Sequence, residues 1–415
     1  MLWTWIGLTI LGLVAGRLVL SLVVSIQRAR GEAAVRALDL ERLQEELAGA
    51  REQRRRAAEE PLSWNGYRKF VVRRKVVESP SVCSVHLKPN DTKPLPSYKP
   101  GQYLTFRLPN THGSTQLIRC YSLSDRPHEN HYRVTIKRAV APDGGPAGVS
   151  SGMFHDVIQE GDILDLRAPA GHFVLEPNES DPVVLIGGGI GVTPVFSMLA
   201  TLVHGQSRRT IWFFYGVRNR REQLFADELK TMLRELPHIN LRICYSQPEP
   251  GDQLGEDYQI NGRVTPELLQ RELPSSNFRF YLCGPGLMME TLVAGLRRWG
   301  VPDSHLHFEA FGPMSVKRVG HAPATGSAPA RAHLVTFRKS ALSLPWDGVH
   351  ATLLDLAEHA GIALPSGCRA GNCGTCAVAL QFGEVSYIQP PGSPPEARTC
   401  LTCIAQPKGD VVLEA

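Results

Sequence analysis

Three cysteines and three glycines fall within the eleven residues Ser366–Cys376, SGCRAGNCGTC. Thiolates at this density can close disulfides, bind zinc or bind iron. Of nine cysteines in 415 residues, Cys83, Cys120, Cys244 and Cys283 are scattered, while Cys368, Cys373, Cys376, Cys400 and Cys403 crowd the C-terminal end. A disulfide framework would spread paired cysteines through a small secreted domain, so this pattern reads as one local site plus isolated thiols. Structural zinc favours two C-x2-C pairs, which would use Cys400 and Cys403 but leave Cys368 idle. Cys368-x4-Cys373-x2-Cys376 with a distant fourth cysteine is the spacing that holds a [2Fe–2S] cluster. Gly367, Gly371 and Gly374 would let the backbone wrap such a cluster and aim N–H groups at its sulfurs.

Other residues have the types to hold phosphates and a flat ring. Arg119 and Tyr121 in RCYSLSD alternate with Cys120 and Ser122, so a strand would present a guanidinium and a phenol on one face. Alone, such a pair is more commonly an exposed cross-strand contact. GVSSGMFHD sets Gly148, Ser151 and Gly152 ahead of an expected helix, where backbone N–H groups can cradle a phosphate. VVLIGGGIGVTP runs from an apolar strand through Gly187, Gly188, Gly189 and Gly191 into a helix, a turn that allows close approach of a pyrophosphate.

These residues need elements to position them. Between Trp64 and Val174, short alternating runs such as KFVVRRKVV, QYLTFRL and YRVTIKRAV are separated by Pro, Gly and Asn clusters, which predicts an antiparallel β-barrel or sandwich. From Pro182 the texture changes to repeated strand–turn–helix units, which predicts an α/β domain with a parallel sheet. The glycine turns at 187–191, 216 and 284–286 all fall at strand C-terminal ends, where such sheets bind ligands. Residues 314–332 are rich in Pro, Ala, Gly and Ser without apolar period, a linker composition. A small α+β module follows, with a helix expected in ATLLDLAEHAG, Thr352 at its N-cap and Gly361 past its end.

The length calls for several domains. The expected division is 1–27 transmembrane anchor, 28–61 charged helical stalk, 62–176 barrel, 177–313 α/β domain, 314–332 linker and 333–415 cysteine-bearing module. A net charge of +5 is modest for this length and does not argue for nucleic acid. Residues 2–26 contain a single charge, Arg17, and are long enough to cross a bilayer. Arg28, Arg30 and Arg36 follow the run and nothing basic precedes it, so the positive-inside rule leaves the catalytic domains in the cytoplasm of a single-pass protein. Leu40, Leu43, Leu47 and Ala50 carry a short 3-4-3 spacing, read as a solvated stalk rather than a coiled coil.

The ordered set RCYSL, GVSS, GGGIGVTP, YGVRNRREQLF, CGPG and HFEAFGP resembles the ferredoxin–NADP reductase superfamily, in the style of flavohaemoglobin reductase parts and oxygenase reductases. The C-terminal module resembles plant-type ferredoxins of the β-grasp fold. The resemblance implies that Arg119 takes flavin phosphate, Tyr121 packs on the isoalloxazine and Ser122 lies near N5. It implies that Lys137, Gly148, Ser151 and Gly152 support the flavin's phosphate side. Gly188, Gly189, Gly191 and Thr193 would meet the dinucleotide pyrophosphate, with Arg218 near the 2′ position. Cys283 and Gly284 would border the nicotinamide, and Glu309 would lie near the flavin's reactive edge. Ser122, Cys283 and Glu309 are thus the expected catalytic groups. Cys403, in LTCIAQP, is implied as the fourth cluster ligand and Cys400 as the extra thiol. APAGHFVLEP favours FAD over FMN, and the coenzyme is NADH or NADPH, with a lean to NADH.

The implied device is a membrane-anchored NAD(P)H reductase. Hydride goes to flavin, and single electrons go through the cluster to an acceptor protein such as a membrane oxygenase or desaturase. Two rivals are a quinone reductase and a membrane-tethered redox sensor or assembly partner.

Overall fold

The computed structural model describes residues 64–415 apart from 65, 110–116, 141–147, 237, 312–332, 347, 368, 370, 372–373, 389–390 and 392–394. The expected anchor, stalk and linker, and the ligands Cys368 and Cys373, lie outside the described residues. Among the described residues no helix is long and apolar enough to cross a membrane.

The first sheet is antiparallel. Its strands are β1 (Arg68–Ser79), β2 (Val82–Pro89), β3 (Tyr103–Leu108), β4 (Leu117–Ser122) and β5 (Tyr132–Lys137), then helix α1 (Val149–Asp156) and strand β6 (Ile163–Leu166). They run in the order β4-β3-β6-β1-β2-β5. A bridge from Leu123 to Val134 brings the two edges together. Phe70, Val72, Val85, Leu87, Leu104, Phe106 and Phe154 fill the space inside, each at most 1% exposed. Burial of such side chains contributes about 1.5–3 kcal/mol apiece.

The second sheet is parallel throughout. It comprises β7 (Val183–Gly188), α2 (Val192–His204), β8 (Ile211–Val217), α3 (Ala226–Glu235), β9 (Ile239–Tyr245), β10 (Ile260–Asn261), α4 (Pro266–Glu272), β11 (Arg279–Gly284), α5 (Gly286–Arg298) and β12 (Leu306–Ala310). The order is β10-β9-β8-β7-β11-β12. Every residue of β7 is buried, as expected for a central strand covered on both faces.

A buried charge links the two sheets. Arg133 on β5 is 5% exposed. Its guanidinium donates to the Ser124 carbonyl, pairs with Glu228 of α3 at 2.7 Å, and lies over the rings of Phe196 and Phe225.

The C-terminal module contains β13 (Leu334–Phe337), β14 (Leu342–Pro345), α6 (Leu353–His359), β15 (Ala377–Phe382), β16 (Val385–Tyr387), β17 (Thr399–Leu401), β18 (Ala405–Pro407) and β19 (Val411–Leu413). Its main sheet has the order β14-β13-β19-β15-β17, with β13 and β19 parallel. Thr352 Oγ1 accepts the Asp355 N–H at the start of α6, and Gly361 follows its end at φ +74°, as the capping pattern predicts.

Candidate functional site

Strand β4 carries the site residues of the antiparallel sheet. Its pairing with β3 sets Tyr103 opposite Ser122 and Phe106 opposite Arg119. Tyr121 is boxed edge-on by Phe106 and Phe154 at 5.6 and 5.2 Å between ring centroids. Its hydroxyl lies 3.0 Å from Ser150 Oγ in the first turn of α1, and burial raises its pKa. Ser151, expected on the flavin's phosphate side, has its Oγ between the Ala139 N–H, from which it accepts, and the Gly148 carbonyl, to which it donates. Ser150 is the hydroxyl that reaches β4. Only its place one residue earlier in GVSSG hinted at this. Gly148 abuts Ala139, where a Cβ would sit 2.8 Å from the Ala139 Cβ; Gly152 is open, with Asp156 3.9 Å away.

Lys137 stands apart from that group. Its Nζ lies 3.9 Å from Glu222, a carboxylate that also pairs with Arg218 at 2.5 Å. Lys137 and Arg218, expected at different cofactors, therefore share one partner. Arg220 and Arg221 likewise have Asp257 at 3.6 Å and Glu249 at 3.0 Å.

The glycine turn ends β7 and opens α2. Three of its four glycines face the protein itself. A Cβ on Gly187 would meet Val192 Cα at 2.8 Å, one on Gly188 Met288 Sδ at 2.4 Å, and one on Gly191 the Cys283 carbonyl oxygen at 2.4 Å. Only Gly189, at φ +53°, has open space. No side chain caps the N-terminus of α2, and the Val192 N–H is taken by the preceding turn, donating to the Gly189 carbonyl. Thr193 is 2% exposed and its hydroxyl donates to the Ile190 carbonyl, so it serves the turn. A Cβ on Gly284 would lie 3.2 Å from Gly188 Cα, so β11 closes onto the same turn.

Ser122, Cys283 and Glu309 come together across sheets. Cys283 on β11 is paired in register with Gly187 on one side and Glu309 of β12 on the other. Cys283 is fully buried, and burial holds its thiol neutral by raising its pKa. Burial pushes the Glu309 pKa up to about 8, and the neighbouring Ser122 hydroxyl offsets only part of that. Glu309 Oε2 is shut away from solvent without a partner. Such an orphan costs free energy unless another polar group meets it. An orphaned acid between the two sheets fits a site for a cofactor with polar ring edges.

The cysteines divide by environment. Cys376 Sγ and Cys403 Sγ are 3.0 Å apart, wrapped by Leu354, Leu401 and Ile404. The Thr402 N–H donates to the Cys376 carbonyl at 3.1 Å and fixes the approach. Cys400, on β17 opposite Val378, points instead into the core of Val335, Phe337 and Leu353, and burial pushes its pKa up to about 12. A thiolate pair in an apolar shell fits iron–sulfur binding, and Cys403 rather than Cys400 is placed for it. Gly371 and Gly374 both adopt φ +70° in the loop. Arg119 Nη1 donates to the Gly367 carbonyl at 3.3 Å, so the cysteine loop touches β4.

Comparison with known proteins agrees with this division. Residues 69–175 match the Oxidoreductase FAD-binding domain, 185–294 the Oxidoreductase NAD-binding domain and 341–408 the 2Fe-2S iron-sulfur cluster binding domain. The chain is 40% identical over 256 residues to a flavohemoprotein of Rhodopirellula baltica, covering 61% of this chain and 62% of the relative. It is 37% identical over 257 residues to one from Halalkalibacterium halodurans, covering 62% of each. The chain thus spans about three fifths of the length of the curated relatives it matches. The flavohem-like FAD/NAD-binding domain of nitric oxide dioxygenase from Vibrio cholerae O1 biovar El Tor is 32% identical, with a TM-score of 0.54, covering 60% of this chain and 100% of that one. Phthalate dioxygenase reductase is 25% identical, with a TM-score of 0.52, covering 84% of this chain and 98% of that one. The chain therefore carries an FAD-binding domain, an NAD-binding domain and a C-terminal 2Fe-2S domain in that order, in a fold similar to that of phthalate dioxygenase reductase.

Proposed function

We propose that this chain takes reducing equivalents from NAD(P)H and delivers them singly, through its 2Fe-2S domain, to an acceptor protein such as an oxygenase. The observation that carries this reading is the double engagement of β4. Ser122 at its end lies beside Glu309 at the end of β12, and Arg119, three residues earlier, donates to the Gly367 carbonyl of the cysteine loop. One strand of the FAD-binding domain thereby adjoins both the electron entrance and the exit. When bound, FAD supplies the two-electron to one-electron conversion, and the cluster carries one electron at a time. The protein's part is to hold and shield them. Arg119, Tyr121 and Ser150 would hold the flavin. Gly189 and the uncapped N-terminus of α2 would hold the dinucleotide pyrophosphate. Cys376 and Cys403, with Cys368 and Cys373, would hold the iron. The similarity to phthalate dioxygenase reductase, described as a modular structure for electron transfer from pyridine nucleotides to [2Fe-2S], supports the same direction of flow.

The carboxylate partners of Arg218, Arg220 and Arg221 favour NADH, because a 2′-phosphate would compete with Glu222, Asp257 and Glu249 for them. The apolar segment 2–26 supports membrane attachment with the redox domains on the cytoplasmic side, and the division at 27, 61, 176, 313 and 332 belongs to the same reading. Steady-state reduction of cytochrome c or ferricyanide by NADH tests the function. Sustained turnover is expected. Cofactors that reduce once and stall would replace the reductase with a redox sensor. Deletion of residues 1–27 should move the protein from the membrane pellet to the supernatant; an unchanged distribution would remove the anchor.

A further inference from the structure

Between β4 and β5 the chain reads Asp125-Arg-Pro-His128-Glu-Asn-His131, and none of these residues has a part in the redox sites above. Asp125, His128 and His131 each turn one ligand atom to a common point, all within 4.8 Å of one another and all half-buried. His128 Nε2 lies 3.4 Å from Asp125 Oδ2. Tetrahedral zinc with bonds of about 2.0–2.1 Å has ligand edges of about 3.3 Å, so this edge is already in place. The other Asp125 oxygen, Oδ1, accepts the Arg126 N–H at 2.8 Å, which fixes the carboxylate. His131 Nδ1 lies 2.8 Å from Asn130 Oδ1, which accepts from it in the Nδ1–H tautomer that frees Nε2 for a metal. An outer acceptor on the far ring nitrogen is the usual support for a metal-binding imidazole. The rings of His128 and His131 stack at 4.2 Å, and His86 stands 5.5 Å from His131.

The position is anchored from both domains. The Asp125 carbonyl accepts the Tyr98 hydroxyl at 2.6 Å and the Ser197 hydroxyl of α2. Asp125 also lines a cavity of about 410 Å³ with Arg126, Asp227, Glu228 and Glu235. Arg133 Nε is 3.5 Å from Asp125 Oδ2, which opposes a cation. Its hydrogen bonds, however, go to Ser124 and Glu228, so it does not occupy the carboxylate.

We propose that Asp125, His128 and His131 form a binding site for a borderline transition-metal ion of the zinc class, separate from the iron–sulfur centre. Two imidazoles and one carboxylate suit Zn²⁺, Cu²⁺ or Ni²⁺ and not Mg²⁺ or Ca²⁺.

The test uses holoprotein washed with chelator, dialysed against micromolar Zn²⁺ and assayed for zinc per FAD. The wild-type chain should hold one zinc more than His128→Gln or His131→Gln, with flavin and cluster absorbance unchanged. Zinc should raise the unfolding temperature of the wild type only, and Mg²⁺ should not. Equal zinc content in wild type and both variants would overturn the site. Should a variant lose its flavin, Cu²⁺ added to oxidised wild-type protein decides: an EPR signal split by two nitrogens supports the site, and a signal lacking nitrogen splitting refutes it.

Discussion

Two glycine-rich segments, 187–191 and 366–376, look alike on paper and are built to opposite ends. In the first, glycine removes side chains so that the protein can close on itself. Gly191 sits against the Cys283 carbonyl and Gly188 against Met288, and only Gly189 faces open space. The ligand-facing surface there is backbone. In the second, the side chains are the site: Cys376 and Cys403 converge to 3.0 Å, and glycine shapes the chain between the thiols. A backbone cradle is broken by adding atoms and a thiolate cradle by removing them.

The largest expected break is Cys403→Ser. Loss of one of four thiolates should abolish the [2Fe–2S] absorbance, while Cys400→Ser, three residues away and turned into the core, should keep it. Visible spectra of the two purified variants check this. Next is Gly191→Ala. A Cβ 2.4 Å from a backbone oxygen forces β11 and α2 apart, at about 3 kcal/mol. A lowered urea midpoint together with weakened NADH binding is expected.

Behind the glycine turn, Glu309 gives a pH signature. Its folded pKa of about 8 lies above the ordinary 4.5, so between those values the folded protein holds a proton that the unfolded chain has lost. Stability should therefore fall as pH rises from about 4.5 to 8 and level off above. Urea midpoints across this range should slope in the wild type and lose that component in Glu309→Gln. The smallest effect belongs to Gly189→Ala. Space is available, but φ +53° is the left-handed region, which costs about 1 kcal/mol. If Gly189→Ala proved as damaging as Gly191→Ala, the contrast between crowded and open glycines would be wrong.

Much of this was legible in the sequence, for identifiable reasons. Apolar runs such as VVLIGG announce a strand covered on both faces, and alternation in YLTFRL announces the antiparallel sheet. Cysteine spacing announced the metal because ligand geometry repeats locally. What stayed hidden depends on contacts distant in sequence. Ser122 and Glu309 meet only because β4 of one sheet ends beside β12 of the other. Lys137, expected at flavin phosphate, lies by Glu222 of the parallel sheet, and nothing local in YRVTIKR encodes that carboxylate. Thr193 and Ser151 have the right chemistry for phosphate binding, but their hydroxyls are engaged with nearby backbone. The loop Asp125–His131 carries its own signal, acid and histidines three apart, though such spacing off a helix gains meaning only from the fold.

Arg133 has a consequence for how the molecule comes apart. A cation buried between the antiparallel and parallel sheets, seated on two aromatic rings and one carboxylate, loses all of these partners at once if either sheet unfolds. Neither sheet can melt without stranding that charge, so the two should melt as one cooperative unit. Calorimetry should show a single transition for the FAD- and NAD-binding domains together, and Arg133→Met should split it in two.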